Sequence, residues 1–249
     1  MYGAVAVTLL IGLRCADGII IAADRKVMYG EEASTADKVF QQSGLVLAFE
    51  GLTGLRDDFL LLLEMESKRA GGLGSLYQAK IIIEDILAEL SQRYEARLGE
   101  DAGIGVLLGG LASGNSGPAR LYYISGVGYG EQITYRCSGH GGEYAHTLAK
   151  FLHDERLGLE HQALRAAFTI AYISEDVDTT VGGRPQVAMV QDDRKRITFA
   201  TNEVIDHACE LAKKAKQSLA SAFGLTDAVA PKPANPKRLK ANNIGGSHG

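Results

Sequence analysis

Two apolar segments joined by an Asp-Gly turn open the chain and constrain its fold more than any other feature. The first begins at Thr8, and the second covers residues 19–26 and ends in Ala-Ala-Asp-Arg-Lys. Apolar, β-branched runs on either side of an Asp-Gly pair predict two antiparallel strands in a hairpin. Two further strand patterns, over residues 39–42 and 45–49, flank Ser43-Gly44. The chain is therefore predicted to begin with β-sheet.

Helix and strand patterns alternate along the rest of the chain. Apolar residues recur at helical spacing over residues 51–69, 75–97, 143–155, 160–174 and 203–223, and Ser75 is a predicted helix cap. Strand patterns occupy residues 103–112, 120–125, 133–137, 187–190 and 197–200. Gly126, Gly128 and Gly130 lead into no helix and are interpreted as a hairpin turn. Two groups of strands, each followed by helices, predict an α+β fold with two packed sheets covered by helices.

Composition indicates an ordinary globular domain. The chain has 249 residues, of which 46% are apolar, so residues 8–223 can bury one large core. The net charge of −4 argues against general affinity for nucleic acid. Three well separated cysteines fit a reducing compartment, and no apolar run reaches the roughly 18 residues of a membrane span. We therefore expect a cytoplasmic protein with neither nucleic-acid nor membrane partners.

The C-terminal segment differs in composition from the body of the chain. Residues 224–249 contain three prolines, two adjacent asparagines and several glycines. Such a segment buries too little apolar surface to fold, so it is predicted to be a disordered tail. Its basic residues, Lys237, Arg238 and Lys240, are interpreted as solvated, with contact to a partner as the alternative.

The order of Thr8, Asp24 and Lys38, followed by the strand that leads to Gly51, resembles the start of proteasome β-type subunits. These are N-terminal nucleophile (Ntn) hydrolases, in which self-cleavage exposes a threonine whose hydroxyl attacks the substrate. The element order of residues 4–223 is similar to their four-layer αββα sandwich. The resemblance implies that residues 1–7 form a leader peptide and that Thr8 becomes the first residue.

The resemblance also assigns roles to the three residues. A threonine hydroxyl is a weak nucleophile, and a free α-amine with a pKa near ~8 can accept its proton. A nearby ammonium group lowers the pKa of that amine by like-charge repulsion. Lys38 matches the family position that supplies this ammonium, and Asp24 matches the carboxylate that holds the lysine.

Further positions match in the rest of the chain. Ser138, in Cys-Ser-Gly-His, resembles the serine that hydrogen-bonds the terminal amine. Asp178 takes the aspartate position of an Asp-x-x-Ser-Gly-Gly loop, although Val181 replaces its serine. The N–H of Gly51 is the expected oxyanion donor, because acyl transfer needs a backbone donor facing the developing charge. Val27 and Phe49, both apolar, are expected to make the substrate pocket apolar.

Each residue also has an ordinary structural interpretation. Alone, Thr8 is a β-branched strand residue, Asp24 a turn former, Lys38 a solvated charge and Ser138 a helix cap. Their joint order and spacing favour the catalytic interpretation.

Two departures from the family pattern oppose catalysis. Val7 stands where glycine is usual, and a β-branched residue reaches the strained backbone needed for self-cleavage less easily. Glu50 replaces a small residue, and its carboxylate is expected to draw the Lys38 ammonium away from Thr8.

Three functions therefore remain open. The first is a threonine endopeptidase that acts on peptides or unfolded proteins inside a homo-oligomeric ring, with α-type rings and an ATPase as candidate partners. The second is a non-catalytic ring or scaffold subunit, and the third is an Ntn amidase or peptide ligase. An α-type subunit is disfavoured because seven residues before Thr8 are too few for its N-terminal helix. No metal or cofactor is expected, and Glu143 and His146 are interpreted as exposed polar residues.

Overall fold

A computed structural model describes residues 8–29, 32–98, 104–113, 116–125, 128–194 and 196–223. The predicted leader, residues 1–7, and the predicted tail, residues 224–249, lie outside the described residues. Internal contacts divide the chain into a large unit, Met1–Lys214, and a second unit, Ala215–Gly249. Only residues 215–223 of the second unit are described, and residues 215–222 form the C-terminal part of a helix.

Twelve strands and five helices form the described part of the chain. The strands are β1 (Leu9–Cys15), β2 (Gly18–Ala23), β3 (Lys26–Tyr29), β4 (Glu32–Thr35), β5 (Val39–Gln42), β6 (Leu45–Glu50), β7 (Gly105–Leu111), β8 (Ala119–Ser125), β9 (Gly128–Glu131), β10 (Tyr135–Gly139), β11 (Gln186–Gln191) and β12 (Ile197–Phe199). The helices are α1 (Thr53–Arg69), α2 (Leu76–Leu98), α3 (Gly142–Leu152), α4 (Leu159–Asp176) and α5 (Asn202–Ala222).

The predicted opening hairpin, β1–β2, lies at the centre of the first sheet. This antiparallel sheet has the order β10-β1-β2-β11-β12. Gly18 begins β2, and a Cβ there would lie 2.2 Å from the carbonyl oxygen of Val190, so only glycine permits β11 to approach this closely. The Asp17 carboxylate accepts the N–H of Leu159 at 2.9 Å, which satisfies a free donor at the start of α4.

The second sheet has the order β5-β6-β7-β8-β9 and is also antiparallel. Ser43 and Gly44 connect β5 to β6 with φ angles of 51° and 81°. Positive φ at both central residues is the mark of a type I′ turn, whose twist matches that of the flanking strands. The Ser-Gly pair therefore sets the register in which residues 39–42 meet residues 45–48.

Alternation along the strands sends side chains into three apolar layers. In β1, Leu9 and Ile11 pack beneath α3, α4 and the first turns of α5, whereas Leu10 lies between the two sheets. In β6, Leu47 packs against α1 and α2, whereas Val46 faces the first sheet. The result is a four-layer αββα sandwich, which confirms the predicted fold class.

Element boundaries agree with the sequence pattern to within a few residues. The Ser75 hydroxyl accepts the N–H of Gln78 at 3.3 Å, and the Gln78 side chain accepts the N–H of Ser75 at 3.1 Å. This reciprocal capping box confirms the predicted start of α2.

Two short hairpin elements differ from the sequence prediction. The interpretation of Gly128 and Gly130 as a turn is wrong. They belong to β9, because pairing with β8 stabilises a strand that has little intrinsic preference for that state. The β3–β4 hairpin follows the end of β2, and its sequence lacks a clear two-residue alternation.

Candidate active site

The carboxylate of Asp24 is the most heavily hydrogen-bonded group of the predicted site. Asp24 directly follows β2 and is fully buried. One oxygen accepts the N–H of Leu9 at 2.9 Å and the Lys38 ammonium at 2.8 Å. The other accepts the N–H groups of Lys26 and Gly182, each at 3.1 Å. A group with four donors and no exposed surface is suited to the ionised, acceptor-only form of a carboxylic acid.

Lys38 lies just before β5 and is 2% exposed. Its backbone N–H donates to the side-chain oxygen of Gln186 at 2.7 Å, and Gln186 in turn donates to Asp37 at 2.8 Å. Burial lowers the pKa of Lys38 and raises the pKa of Asp24, while the attraction between the two groups acts in the opposite direction on each. Burial thus gives the site a lysine whose proton is easier to remove than usual.

Thr8 directly precedes β1 and is 3% exposed. The next residue, Leu9, bonds Asp24 through its N–H, so the backbone at Thr8 is tied to the same carboxylate as Lys38. The carbonyl oxygen of Thr8 lies 1.9 Å from the position that a Cβ on Gly139 would occupy, and Gly139 has a φ of 79°. Position 139, which pairs with Leu9, therefore requires glycine for both space and conformation.

Ser138 lies in β10 opposite Leu10 and is buried. Leu10 and Thr8 are two residues apart, so the side chains of Thr8 and Ser138 are expected on the same face of the first sheet. The Ser138 hydroxyl donates to the phenol oxygen of Tyr123 at 3.4 Å, which is a weak hydrogen bond.

Glu50 is directed differently from the sequence expectation. The sequence predicts that it draws Lys38 away from Thr8, but its Oε1 accepts the Tyr123 hydroxyl while Lys38 pairs with Asp24. The reason is geometric, because Glu50 ends β6 on the inner face of the second sheet, where Tyr123 of β8 also lies.

Asp178, the predicted aspartate of the Asp-x-x-Ser-Gly-Gly-like loop, forms hydrogen bonds with a residue of the same loop. Asp178 accepts the N–H of Thr180 at 2.9 Å and also the Thr180 hydroxyl. Val181, which replaces the family serine, is 1% exposed and packs in the core beneath α4. No hydrogen bond joins Asp178 to Ser138 among the described residues, so the structure does not connect these two predicted positions directly.

Gly51 follows β6 with a φ of 133°, a conformation that side chains rarely adopt. A Cβ there would lie 2.8 Å from the side chain of Ile104. Both observations explain why the predicted oxyanion donor is a glycine.

The two predicted pocket residues are both covered. Val27 lies in β3 and is 1% exposed. Phe49 is 2% exposed and packs beside Phe59 with ring centroids 5.4 Å apart, under α1. In this conformation neither side chain presents a surface to solvent, so their role as pocket walls stays a prediction.

Gly182 and Gln186 support the site but were not singled out from the sequence. Besides its bond to Asp24, Gly182 accepts the N–H groups of Arg25 and Lys26 through its carbonyl oxygen, at 2.8 and 2.9 Å. Gln186 accepts the backbone of Lys38. The local signal for Gln186 is a polar residue at the start of an apolar strand, which is too common to indicate a site, and Gly182 is the first glycine of the Asp-x-x-Ser-Gly-Gly-like loop that contains Asp178.

Other candidate chemistry finds no geometric support in the described part of the chain. There, no group of three or more His, Cys, Asp or Glu side chains is placed to hold a metal ion, and His146 instead lies beside the ring of Tyr135. Burial raises the pKa of the Cys137 thiol to about 12, which suits an inert core cysteine rather than a nucleophile. None of the described helices has the length and hydropathy to cross a bilayer.

Comparison with known proteins agrees with this geometry. A model of the family described as "Proteasome subunit" matches residues 7–190. Proteasome subunit beta 1 of Thermococcus kodakarensis is 26% identical over 188 residues, which cover 74% of this chain and 89% of the relative. The subunit of the same name from Thermococcus gammatolerans is 28% identical over 179 residues, covering 70% and 86%.

Solved structures share the architecture at lower identity. Anbu (ancestral beta-subunit) from Yersinia bercovieri has a TM-score of 0.72 at 21% identity, covering 90% of this chain and 98% of its own. The helical assembly of the Anbu complex from Pseudomonas aeruginosa has a TM-score of 0.70 at 18% identity, covering 91% and 98%. With the family match over most of the chain, these findings show that the protein belongs to the proteasome subunit family and has a proteasome-like Ntn hydrolase fold.

Proposed function

We propose that this protein is a threonine peptidase that hydrolyses peptide bonds through Thr8 as an N-terminal nucleophile. The observation that carries the proposal is the buried pair of Asp24 and Lys38, tied to the start of β1 beside Thr8. Burying two charged groups is costly unless they are paired and hydrogen-bonded. A lysine held in this way beside the first strand fits the task of tuning a terminal amine.

The first step of the proposed chemistry releases the leader. The Thr8 hydroxyl attacks the carbonyl of Val7, the peptide bond between them breaks, and the leader is transferred to the oxygen as an ester. Water hydrolyses that ester, which frees the leader as a carboxylic acid and leaves an α-amine on Thr8. The β-branched Val7 is expected to slow this step.

The second step is turnover. The neutral amine accepts the Thr8 hydroxyl proton as the oxygen attacks the substrate carbonyl, and the N–H of Gly51 faces the resulting oxyanion. The leaving amine takes the proton as the tetrahedral intermediate collapses to an ester. Water then hydrolyses the ester by the same proton transfers. Lys38 stays protonated throughout and lowers the pKa of the amine, which keeps more of it neutral near pH 7.

We propose further that the protein works as a homo-oligomer. Leu61 and Met65 of α1 are each 56% exposed one helical turn apart, and Tyr77 and Ile81 of α2 are 63% and 40% exposed at the same spacing. Exposed apolar residues grouped on one face mark association surfaces. The Anbu complex from Pseudomonas aeruginosa is a helical assembly, which is a precedent for association in a protein of this fold.

A non-catalytic scaffold subunit is the second candidate, and two observations favour it. Val181 packs in the core where the family loop carries a serine, and the Asp178 carboxylate accepts hydrogen bonds from Thr180. The amine environment is therefore incomplete by comparison with the family pattern.

Mass spectrometry and one substitution separate the candidates. For an enzyme, we expect the purified chain to lose residues 1–7 and to cleave fluorogenic peptides. Thr8→Ala should retain the leader and lose cleavage, whereas Thr147→Ala, a substitution of an exposed threonine on α3, should change neither. If Thr8→Ala cleaves as fast as the parent, the threonine mechanism is wrong. Complete retention of the leader by the parent supports the scaffold, and transfer of the acyl group to an added amine would indicate a ligase.

A further inference from the structure

Glu50 is a charged residue on the face of β6 that otherwise carries apolar side chains. In β6, Val46 and Ala48 face the first sheet and are buried between the sheets. Alternation places Glu50, two residues further on, on that same inner face. Its Oε2 atom is buried and has no hydrogen-bond partner among the described residues. A buried carboxylate oxygen without a donor is costly, so the site is suited to receive one.

The other half of the carboxylate is held in place across a strand. Oε1 accepts the hydroxyl of Tyr123, although β6 and β8 are separated by β7. Gly105 of β7 makes this possible, because a Cβ there would lie 2.5 Å from the Tyr123 oxygen and 2.7 Å from Oε1. Burial, followed by the Glu50 charge, raises the pKa of Tyr123, so the phenol keeps the proton that it donates. Arg136 stacks on the ring of Tyr123, 4.3 Å from its centroid.

The unpartnered oxygen lies beside the start of β1. The position that a Cβ on Gly139 would occupy is 1.9 Å from the Thr8 carbonyl oxygen and 3.3 Å from Glu50 Oε2. Leader release would create a new cation on this same residue, the ammonium of Thr8. We propose that Glu50, oriented by Tyr123, is a positioning residue that binds the Thr8 ammonium after cleavage and so restrains the peptidase at acidic pH. This inference rests on the proposed function.

The sign of the effect follows from the charges around Thr8. Asp24, just after β2, and Lys38, just before β5, form an ion pair near Thr8, and Arg136 covers Tyr123. Asp178 lies 3.8 Å from the position that a Cβ on Gly141 would occupy, and His140 follows β10 in the sequence. An added carboxylate raises the pKa of an ammonium, whereas Lys38 lowers it. Glu50 therefore opposes Lys38 and delays formation of the neutral amine as pH rises.

Selective labelling of the α-amine tests this inference without relying on catalysis. The processed protein is treated with 2,4-dinitrofluorobenzene between pH 5 and 10, and the labelled N-terminal peptide is quantified by mass spectrometry. Since only the neutral amine reacts, the rate against pH gives its pKa. Glu50→Gln, which keeps an acceptor for Tyr123, should lower that pKa by about one unit. The acidic limb of the pH–rate profile of the peptidase should shift to lower pH by the same amount.

Two further variants distinguish a charge effect from a packing effect. Tyr123→Phe retains the carboxylate but removes the donor that orients it, so it should lower the amine pKa by clearly less than Glu50→Gln does. Glu131→Gln, which removes a charge from an exposed pair with Arg120, should not change that pKa. The inference is overturned if Glu50→Gln shifts the pKa by less than about 0.3 units, or if Tyr123→Phe lowers it equally. A processed chain that fails to cleave peptides overturns the proposed function alone, because the labelling still reports on Glu50. A chain that never releases its leader overturns both.

Discussion

Removing the charge of Asp24 is the most informative perturbation of the site. Asp24→Asn keeps the shape of the side chain, but the amide has only one acceptor oxygen for four donors. It also leaves Lys38, which is 2% exposed, without its counter-charge. Breaking a buried pair by removing one partner costs about 3–5 kcal/mol of the free energy of unfolding.

Urea unfolding followed by circular dichroism measures this cost. For a slope near ~2 kcal/mol per molar urea, the midpoint should fall by roughly 1.5–2.5 M. Lys38→Met should also destabilise the fold, since it leaves the Asp24 charge uncompensated. The double variant should lose less than the sum of the two, because no unpaired buried charge remains.

An exposed ion pair provides the matched control. Glu64 and Lys68 are 2.6 Å apart on α1 with side chains 56% and 75% exposed. Glu64→Gln should leave the urea midpoint unchanged within error. If Asp24→Asn were as harmless as this control, or if the two single losses at Asp24 and Lys38 simply added, the claim that a buried ion pair organises the site would be wrong.

Three further predictions follow from named groups. Because burial lowers the pKa of Lys38, the peptidase rate should begin to fall at a pH below 10.5, the ordinary pKa of a lysine, and a profile that stays flat to pH 10.5 would contradict its role as a protonated tuning group. Since burial is the main cause that raises the pKa of both Cys15 and Cys137 to about 12, very few of these thiols are ionised at pH 8. Iodoacetamide should therefore label them far more slowly in the native protein than in urea, and equal rates would refute their burial. Gly139→Ala places a Cβ 1.9 Å from the Thr8 carbonyl oxygen at a φ of 79°, so it should block leader release and lower the thermal midpoint. Intact mass and a melting curve check both effects, and normal processing would show that the two strands can separate there without loss.

Local patterns in the sequence determined much of the architecture. Apolar runs on either side of the Asp-Gly turn in residues 9–23, and the two-residue turn at Ser43-Gly44, predict strands and hairpins because turn geometry depends only on neighbouring residues. Helical spacing and the Ser75 cap do the same for α2. The family resemblance singled out Thr8, Asp24 and Lys38, and the structure places Asp24 and Lys38 in one ion pair beside Thr8.

Only the tertiary structure decided how the site is supported. Asp24 and Gly182 are 158 residues apart in sequence yet share a hydrogen bond, and no local pattern encodes such a partner. The direction of Glu50 likewise depends on Gly105 leaving space for Tyr123 two strands away. Strand periodicity predicts which face a side chain takes, but the group that it meets there depends on how two sheets pack across a common core.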